Sequence, residues 1–137
     1  MDVLPSGLPK LIADEEDLAR FLVSSGQYNS SGARHTAFLP NPKDHETSVS
    51  RHGAQPKERL WALAADLTTR ERSVHGAALV KAGHVRKAKL DAIADEPPDR
   101  HAAIRGWPWD WADPDLQRAR HKEMALVIAS ESLLVWP

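Results

Sequence analysis

The sequence contains no cysteine, and this absence excludes several kinds of chemistry at once. Without a thiol the chain forms no disulfide, has no thiolate nucleophile and cannot bind zinc or an iron–sulfur cluster through cysteine. Long hydrophobic runs are also absent, because no stretch approaches the roughly 20 apolar residues that a membrane-spanning helix needs. The first residues lack a basic segment followed by an apolar one, which is the pattern of a signal peptide. We therefore expect a cytoplasmic protein that does not bind membranes.

Neither sign of charge predominates, since 18 basic and 19 acidic side chains give a net charge of −1. A near-neutral chain lacks the overall positive charge that is typical of nonspecific nucleic-acid binding, although a local basic patch remains possible. With 137 residues, of which 42% are hydrophobic, the chain is long enough to bury a core without metals or disulfides. We predict a single globular domain over residues 1–137, in which the Pro- and Gly-containing residues 1–13 form an extended arm.

Apolar residues with helical spacing predict two helices in the first half of the chain. The first follows the acidic run at 14–17 and ends near Gly26, with Leu18, Phe21 and Leu22 on its inner face. The second is a central helix over about 56–69, because Pro56 suits a first helical turn and apolar positions recur from Leu60 to Leu67. Both helices would pack their apolar faces against the rest of the domain.

The last helix and the strands complete the predicted fold. An Asp113 cap followed by Pro114 predicts a long C-terminal helix to about Ser132, with an apolar stripe that continues to Leu134. Short β-branched or apolar runs between turn residues predict strands at 36–39, 47–52, 73–80, 90–94 and 100–106. This pattern predicts an α+β fold, with a small, mainly antiparallel sheet packed by the central helix and the long C-terminal helix.

The segment from Asp95 to Trp111 is the most unusual in the chain, because prolines bracket a short strand and three tryptophans follow closely. In an extended backbone alternate residues point to one side, so Trp107, Trp109 and Trp111 could share a face. Such a face is either core or contact surface. We predict that Trp61 and Trp107 are in the core and that Trp109 and Trp111 are more exposed. Together with Trp136 these two are the candidate partner-binding residues, since tryptophan is enriched at interface hot spots.

Two Arg-His pairs suggest an alternative function. Arg51-His52 and Arg100-His101 lie at or near the ends of predicted strands and could converge. Two histidines can act as base and acid in phosphoryl transfer while a guanidinium stabilises the developing charge. These four residues are therefore the candidate catalytic set of a nucleic-acid- or nucleotide-processing enzyme. The alternative is that they form a solvated strand edge or satisfied hydrogen bonds.

A basic stretch before the prolines is the candidate nucleic-acid contact, with Arg86, Lys87 and Lys89 as its main residues. Single-strand binding would also need aromatic platforms nearby, which the sequence does not place. The simpler interpretation is a solvated connector balanced by acidic residues. The seven histidines show no spacing typical of metal ligands, so we expect neither a metal nor another cofactor.

Four blocks of sequence resemble a widespread group of small bacterial proteins. They are Leu18–Leu22 (LARFL), Ala37–Pro40 (AFLP), Ser48–Arg51 (SVSR) and Arg100–Pro108 (RHAAIRGWP). The resemblance implies no activity and no cofactor, and this chain departs from the pattern by inserting Trp109-Asp110-Trp111 after Gly-Trp-Pro. From the residues we expect an accessory or interaction protein that binds a protein partner, in the setting of a bacterial or phage conflict system. Whether the protein is also an enzyme is left open.

Overall fold

A six-stranded antiparallel sheet forms the centre of the protein, in a computed structural model that describes residues 3–53, 55–67 and 73–137. In chain order the elements are β1 (Asp17–Leu22), β2 (Tyr28–Asn29), β3 (Gly32–Ala33), β4 (Thr47–Arg51), α1 (Lys57–Leu67), β5 (Gly76–Lys81), α2 (Ala82–Lys87), β6 (Asp91–Ala94), β7 (His101–Arg105), α3 (Pro114–Ser130) and β8 (Leu133–Val135). The sheet order is β6-β7-β4-β1-β5-β8, and β2 pairs with β3 in a separate hairpin. The predicted α+β class, with an antiparallel sheet and a long C-terminal helix, is confirmed.

Helices cover both faces of the sheet. Leu60 and Ala64 of α1 pack with Ala19 and Phe21 of β1 in one apolar cluster. On the opposite face, residues of α3 join a larger cluster that includes Leu18, Leu22, Val80, Ile104, Trp107, Ala125 and Ile128. Because successive strand residues point to opposite faces, β1 supplies both clusters. The core therefore consists of two layers, one on each side of the sheet.

The first predicted helix is wrong, since the residues at 17–22 form β1 and pair with both β4 and β5. A strand that is covered on both faces is apolar at nearly every position, and Leu18, Phe21 and Leu22 then match helical spacing by coincidence. Acidic residues at 14–17, which suggested the start of a helix, bind other groups. Glu16 accepts hydrogen bonds from a buried arginine described below.

Two further predictions near the surface are wrong. Residues 35–37 form a 3-10 turn where a strand was expected at 36–39. The C-terminal helix ends at Ser130, and the chain turns back as β8 along β5, so that Leu134 pairs with Ala78 and does not extend the helical stripe. The residues directly after β5, which include part of the basic stretch, form α2. The predicted end of the central helix, at residues 68 and 69, lies outside the described residues.

Gly76 allows β5 and β8 to approach closely. A Cβ atom added at Gly76 would lie 2.5 Å from Cε3 of Trp136 and 2.9 Å from the carbonyl oxygen of Val135. Both atoms belong to the final strand or the residue after it, so the space at this position is already filled. Glycine is thus required here by packing.

We expect Gly76→Ala to lower the free energy of unfolding by about 1 to 3 kcal/mol, because the methyl group must displace the Trp136 ring or separate two paired strands. Urea unfolding of the two proteins measures the difference. Gly26→Ala is the matched control, since the nearest atom to its added Cβ is 3.6 Å away. Equal effects of the two substitutions would contradict the packing explanation.

Candidate functional site

The loop between β7 and α3 carries the three clustered tryptophans, and the structure gives each a different environment. Trp107 is 4% exposed and its indole nitrogen donates a hydrogen bond to the carbonyl oxygen of Ile104 at 3.3 Å. Trp109 is half-buried, whereas Trp111 is 82% exposed. The rings of Trp109 and Trp111 stack with 5.8 Å between centroids and 21° between planes. Trp107 therefore anchors the loop in the core, while Trp109 supports an exposed ring.

Two histidines that the sequence analysis did not select complete this aromatic cluster. His121 of α3 contacts Trp109 edge-on at 5.3 Å and Trp107 at 5.6 Å. His45, from the loop before β4, contacts both Trp109 and Trp111 edge-on. Neither residue has a local sequence signal, because His45 lies more than 60 positions before the tryptophans and His121 more than 10 positions after Trp109, so only the folded chain brings the rings together. We call Trp109, Trp111 and His45 the tryptophan surface.

Hydrogen bonds to α3 hold the loop in one conformation. The side-chain oxygen of Gln117 accepts a hydrogen bond from the Asp110 backbone N–H at 2.7 Å. The Asp110 carboxylate in turn accepts from the backbone N–H groups of Ala112 and Asp113. The Asp113 carboxylate caps the helix by accepting from Leu116 N–H at 3.0 Å. Nε2 of His121 lies 2.5 Å from the Pro108 carbonyl oxygen, which requires the proton on that nitrogen.

Trp136 lies in a different environment from the other candidate partner-binding residues. Its ring contacts Tyr28 edge-on at 5.2 Å and lies over Gly76. Among the described residues, no ring contact joins it to Trp109 or Trp111. It is 47% exposed, so part of it remains available to a partner. The structure thus brings two of the three predicted partner-binding tryptophans together and leaves the third elsewhere.

A groove of about 460 Å³ separates α3 from the connection between α2 and β6. Lys87 and Lys89 line one side, and Arg120 and Glu123 line the other. Its apolar lining comes from Ala88, Gly106, Pro108, Met124 and Val127. We call this the basic groove. Since Pro108 lies between two of the clustered tryptophans, the groove borders the tryptophan loop, which the sequence alone did not place.

Arg86, the third candidate nucleic-acid contact, has protein partners instead. Its guanidinium binds the Asp14 carboxylate at 2.6 Å and the Asp91 carboxylate at 2.9 Å. The hydrogen bond from Arg86 lowers the pKa of Asp91, and the bond to Asp91 is the main cause that raises the pKa of Arg86. Within the described residues, no ion pair involves Lys87 or Lys89. Arg86 is therefore paired with carboxylates of the protein, whereas these two lysines are not.

The two Arg-His pairs meet in the interior through their arginines. Arg51 is fully buried, and its guanidinium binds the Glu16 carboxylate through two hydrogen bonds of 2.6 and 2.7 Å. A third nitrogen of Arg51 donates to the carbonyl oxygen of Pro9 at 2.6 Å. Arg100 is also buried and donates to the carbonyl oxygens of Arg51 and His52. The Arg51 backbone N–H completes the connection by donating to the Arg100 carbonyl oxygen.

These contacts define what the candidate catalytic residues do in the described structure. Both guanidinium groups are buried and bind protein atoms, so neither is exposed to a phosphate in the described structure. His52 is buried beside them, and burial is the main cause that lowers its pKa. Nδ1 of His101 lies 3.0 Å from the Asp95 carbonyl oxygen and 3.3 Å from the Asp95 carboxylate. The catalytic assignment of the four residues stays a prediction from the sequence.

Comparisons with protein-family models, with curated proteins and with solved structures find no match to this chain. In the described part of the chain, no three His, Asp or Glu side chains are grouped as they would be to hold a metal ion. No described helix has both the length and the apolar content needed to cross a membrane. The function must therefore be argued from the surfaces of this structure.

We expect Glu16→Ala to destabilise the fold by about 3 to 5 kcal/mol, because it leaves the buried Arg51 guanidinium without its counter-charge. Urea unfolding at constant pH measures the loss. Lys81→Ala is the matched control, since it removes an ion pair with Asp17 in which the lysine side chain is 53% exposed. Exposed pairs contribute less than about 1 kcal/mol. A loss of similar size in both variants would show that burial does not determine the strength of the Glu16 contact.

The lowered pKa of His52 predicts a loss of stability in mild acid. The unfolded chain binds a proton at this residue near the ordinary value of 6.5, whereas the folded protein binds it only at lower pH. As the pH falls through the ordinary value, the unfolded state gains protons first and the free energy of unfolding decreases. His52→Gln should remove this contribution, so the variant loses less stability than the original protein between about pH 7.5 and about pH 5. The free energy of unfolding of both proteins is measured by urea unfolding at each pH. An equal decrease in the two proteins over this range would contradict the prediction.

Proposed function

We propose that this protein is a small interaction module whose tryptophan surface binds a partner protein. The observation that carries the proposal is that Trp111 is 82% exposed although its ring is held by stacking on Trp109. Removing apolar surface from water is favourable by about 25 cal/mol for each Å². A partner that covers this ring recovers that free energy. Tryptophan is also among the residue types that are enriched at interface hot spots.

The rigidity of the loop supports this proposal. Association loses free energy when flexible side chains and loops are ordered, by about 0.5 to 1.5 kcal/mol for each immobilised side chain. Here Trp111 stacks on Trp109, which His45 and His121 contact at its edges. Gln117 fixes the backbone of the residue between the two tryptophans. Much of the ordering cost is therefore met by folding, before any partner arrives.

The alternative functions have less support from contacts. An enzyme that uses the two Arg-His pairs would need a guanidinium beside its substrate, yet Arg51 and Arg100 are bound within the interior. Nucleic-acid binding by the basic stretch would lose Arg86 to its two carboxylate partners. A role in a bacterial or phage conflict system and a cytoplasmic location both stay predictions from the sequence.

We expect Trp111→Ala to weaken partner binding at least about 30-fold, which corresponds to the 2 kcal/mol that defines a hot spot. Its effect on unfolding should stay within about 0.5 kcal/mol, because the residue is at the surface. The partner is first captured from the host with the tagged protein in nuclease-treated extract, then purified for calorimetric titration. Leu11→Ala is the matched control, since Leu11 is an 87% exposed apolar residue outside the tryptophan surface.

Two results would contradict the proposal. One is an unchanged partner affinity when both Trp109 and Trp111 are replaced by alanine while the protein remains folded. The other is the recovery of nucleic acid alone, with no protein at stoichiometric level, before nuclease treatment. The second result would favour the lysines of the basic groove as the functional surface.

A further inference from the structure

The basic groove adjoins the tryptophan surface through two elements. Pro108, which lines the groove, immediately precedes Trp109 in the chain. Arg120, on the opposite wall, is followed by His121, whose ring contacts Trp109. A segment that covered the tryptophan surface could therefore continue into the groove. The two features are therefore linked through residues that are adjacent in the chain, at Pro108-Trp109 and at Arg120-His121.

Three cations line the groove, and none of them forms an ion pair with a described residue. Two arginines nearby do form such pairs. Arg86 binds two carboxylates, and Arg118 forms an ion pair with Asp115 one turn away. Lys87, Lys89 and Arg120 have no such partner, and Glu123 is the only carboxylate on the described lining of the groove. The groove thus carries an uncompensated positive charge although the whole chain has a net charge of −1.

The backbone at Lys89 gives independent support. Lys89 has a φ of 70°, in the left-handed region, just after the end of α2. Glycine or asparagine is the usual residue in this position after a helix, and another side chain costs about 1 kcal/mol there. The side chain of Lys89 does not repay this cost through any hydrogen bond or ion pair in the described structure. A binding role for the ammonium group would explain why lysine is present at a position that suits glycine.

The lining of the groove indicates what kind of anion it accepts. Ala88, Met124, Val127 and Pro108 give it an apolar floor, and Met124 can adjust its shape to different side chains. Among the described residues no aromatic ring lines the groove itself, so a nucleic-acid base could stack only outside it, on the tryptophan surface. Glu123 repels any anionic group placed next to it, but it can accept hydrogen bonds from the N–H groups of a peptide, which a polyphosphate lacks. Charge and lining together favour a peptide that carries both acidic and apolar side chains.

We propose that the basic groove binds a short acidic segment of the partner protein, with carboxylates facing Lys87, Lys89 and Arg120 and an apolar side chain on Met124 and Val127. This inference rests on the proposed function, since it describes a second part of the same interface. The groove volume of about 460 Å³ lies within the usual range for a binding cleft. The cations select the segment by its charge, and the floor selects it by its apolar side chain.

The test uses the full chain and three labelled probes whose binding is followed by fluorescence anisotropy. The first is a peptide in which leucine alternates with pairs of glutamate, the second is the same peptide with glutamine in place of glutamate, and the third is oligothymidylate. We expect the glutamate peptide to bind most tightly, with an affinity that falls as salt is raised. Lys87→Gln combined with Lys89→Gly should weaken its binding about tenfold.

The variants separate binding from folding. Lys89→Gly should leave the free energy of unfolding unchanged or higher, because glycine adopts a left-handed φ without strain. Lys122→Gln is the matched control, since Lys122 is a cation of α3 that lines a different cavity from the basic groove. It should change the affinity for the glutamate peptide by less than about twofold, as expected for a charge outside the interface.

Three results with the labelled probes would overturn the inference. Equal binding of the glutamate and glutamine peptides would remove the role of charge, and an unchanged affinity in the Lys87→Gln, Lys89→Gly variant would remove the role of the groove. Tighter binding of oligothymidylate that is lost in the same variant would assign the groove to nucleic acid.

The captured partner keeps this test distinct from that of the proposed function. If Trp111→Ala abolishes capture and the groove variant does not, the acidic segment fails and the interaction module stands; the reverse result rejects the tryptophan surface.

Discussion

The buried ion pair between Arg51 and Glu16 is the interaction on which the rest of the structure depends. A guanidinium in a dry interior is stable only when a counter-charge and further acceptors surround it, and here they come from the segment before β1 and from Pro9. Arg100 extends the same network by binding the carbonyl oxygens at the end of β4. Separating these groups would leave a buried charge without its partner. The network therefore fixes the positions of β1, β4 and the start of β7 relative to one another.

The candidate interaction surface follows from that arrangement. β7 begins directly after Arg100 and pairs with β4 in the sheet. The chain then continues into the tryptophan loop, where the Trp107 side chain is buried in the core. At the other end of the loop, Asp113 caps α3, whose inner face packs on the sheet. The loop is therefore fixed at both ends, and its exposed Trp111 is presented by a rigid support. The basic groove arises from the same geometry, because α3 lies opposite the turn that carries Lys89.

Local signals predicted those parts of the fold that local physics controls. The Asp113-Pro114 start of α3 and the apolar face of α1 are recognisable because caps and helical spacing act within a few residues. The strands at β4, β5, β6 and β7 were also predicted near their observed positions. β1 was mistaken for a helix because burial on both faces removes the alternation that identifies a strand. β8 was missed because it is only three residues long and its Leu134 continues the helical spacing of α3.

By itself the sequence determined that no thiol chemistry is available, that the protein belongs to the α+β class, and that Trp107 and Trp111 differ in exposure. Only the tertiary structure decided which charged residues are committed and which are available. Arg51, Arg86 and Arg100 bind distant carboxylates or carbonyl oxygens, whereas Lys87 and Lys89 line a groove. The reason is physical: the availability of a charge depends on its burial and on its partners, and both come from segments that are remote in the chain.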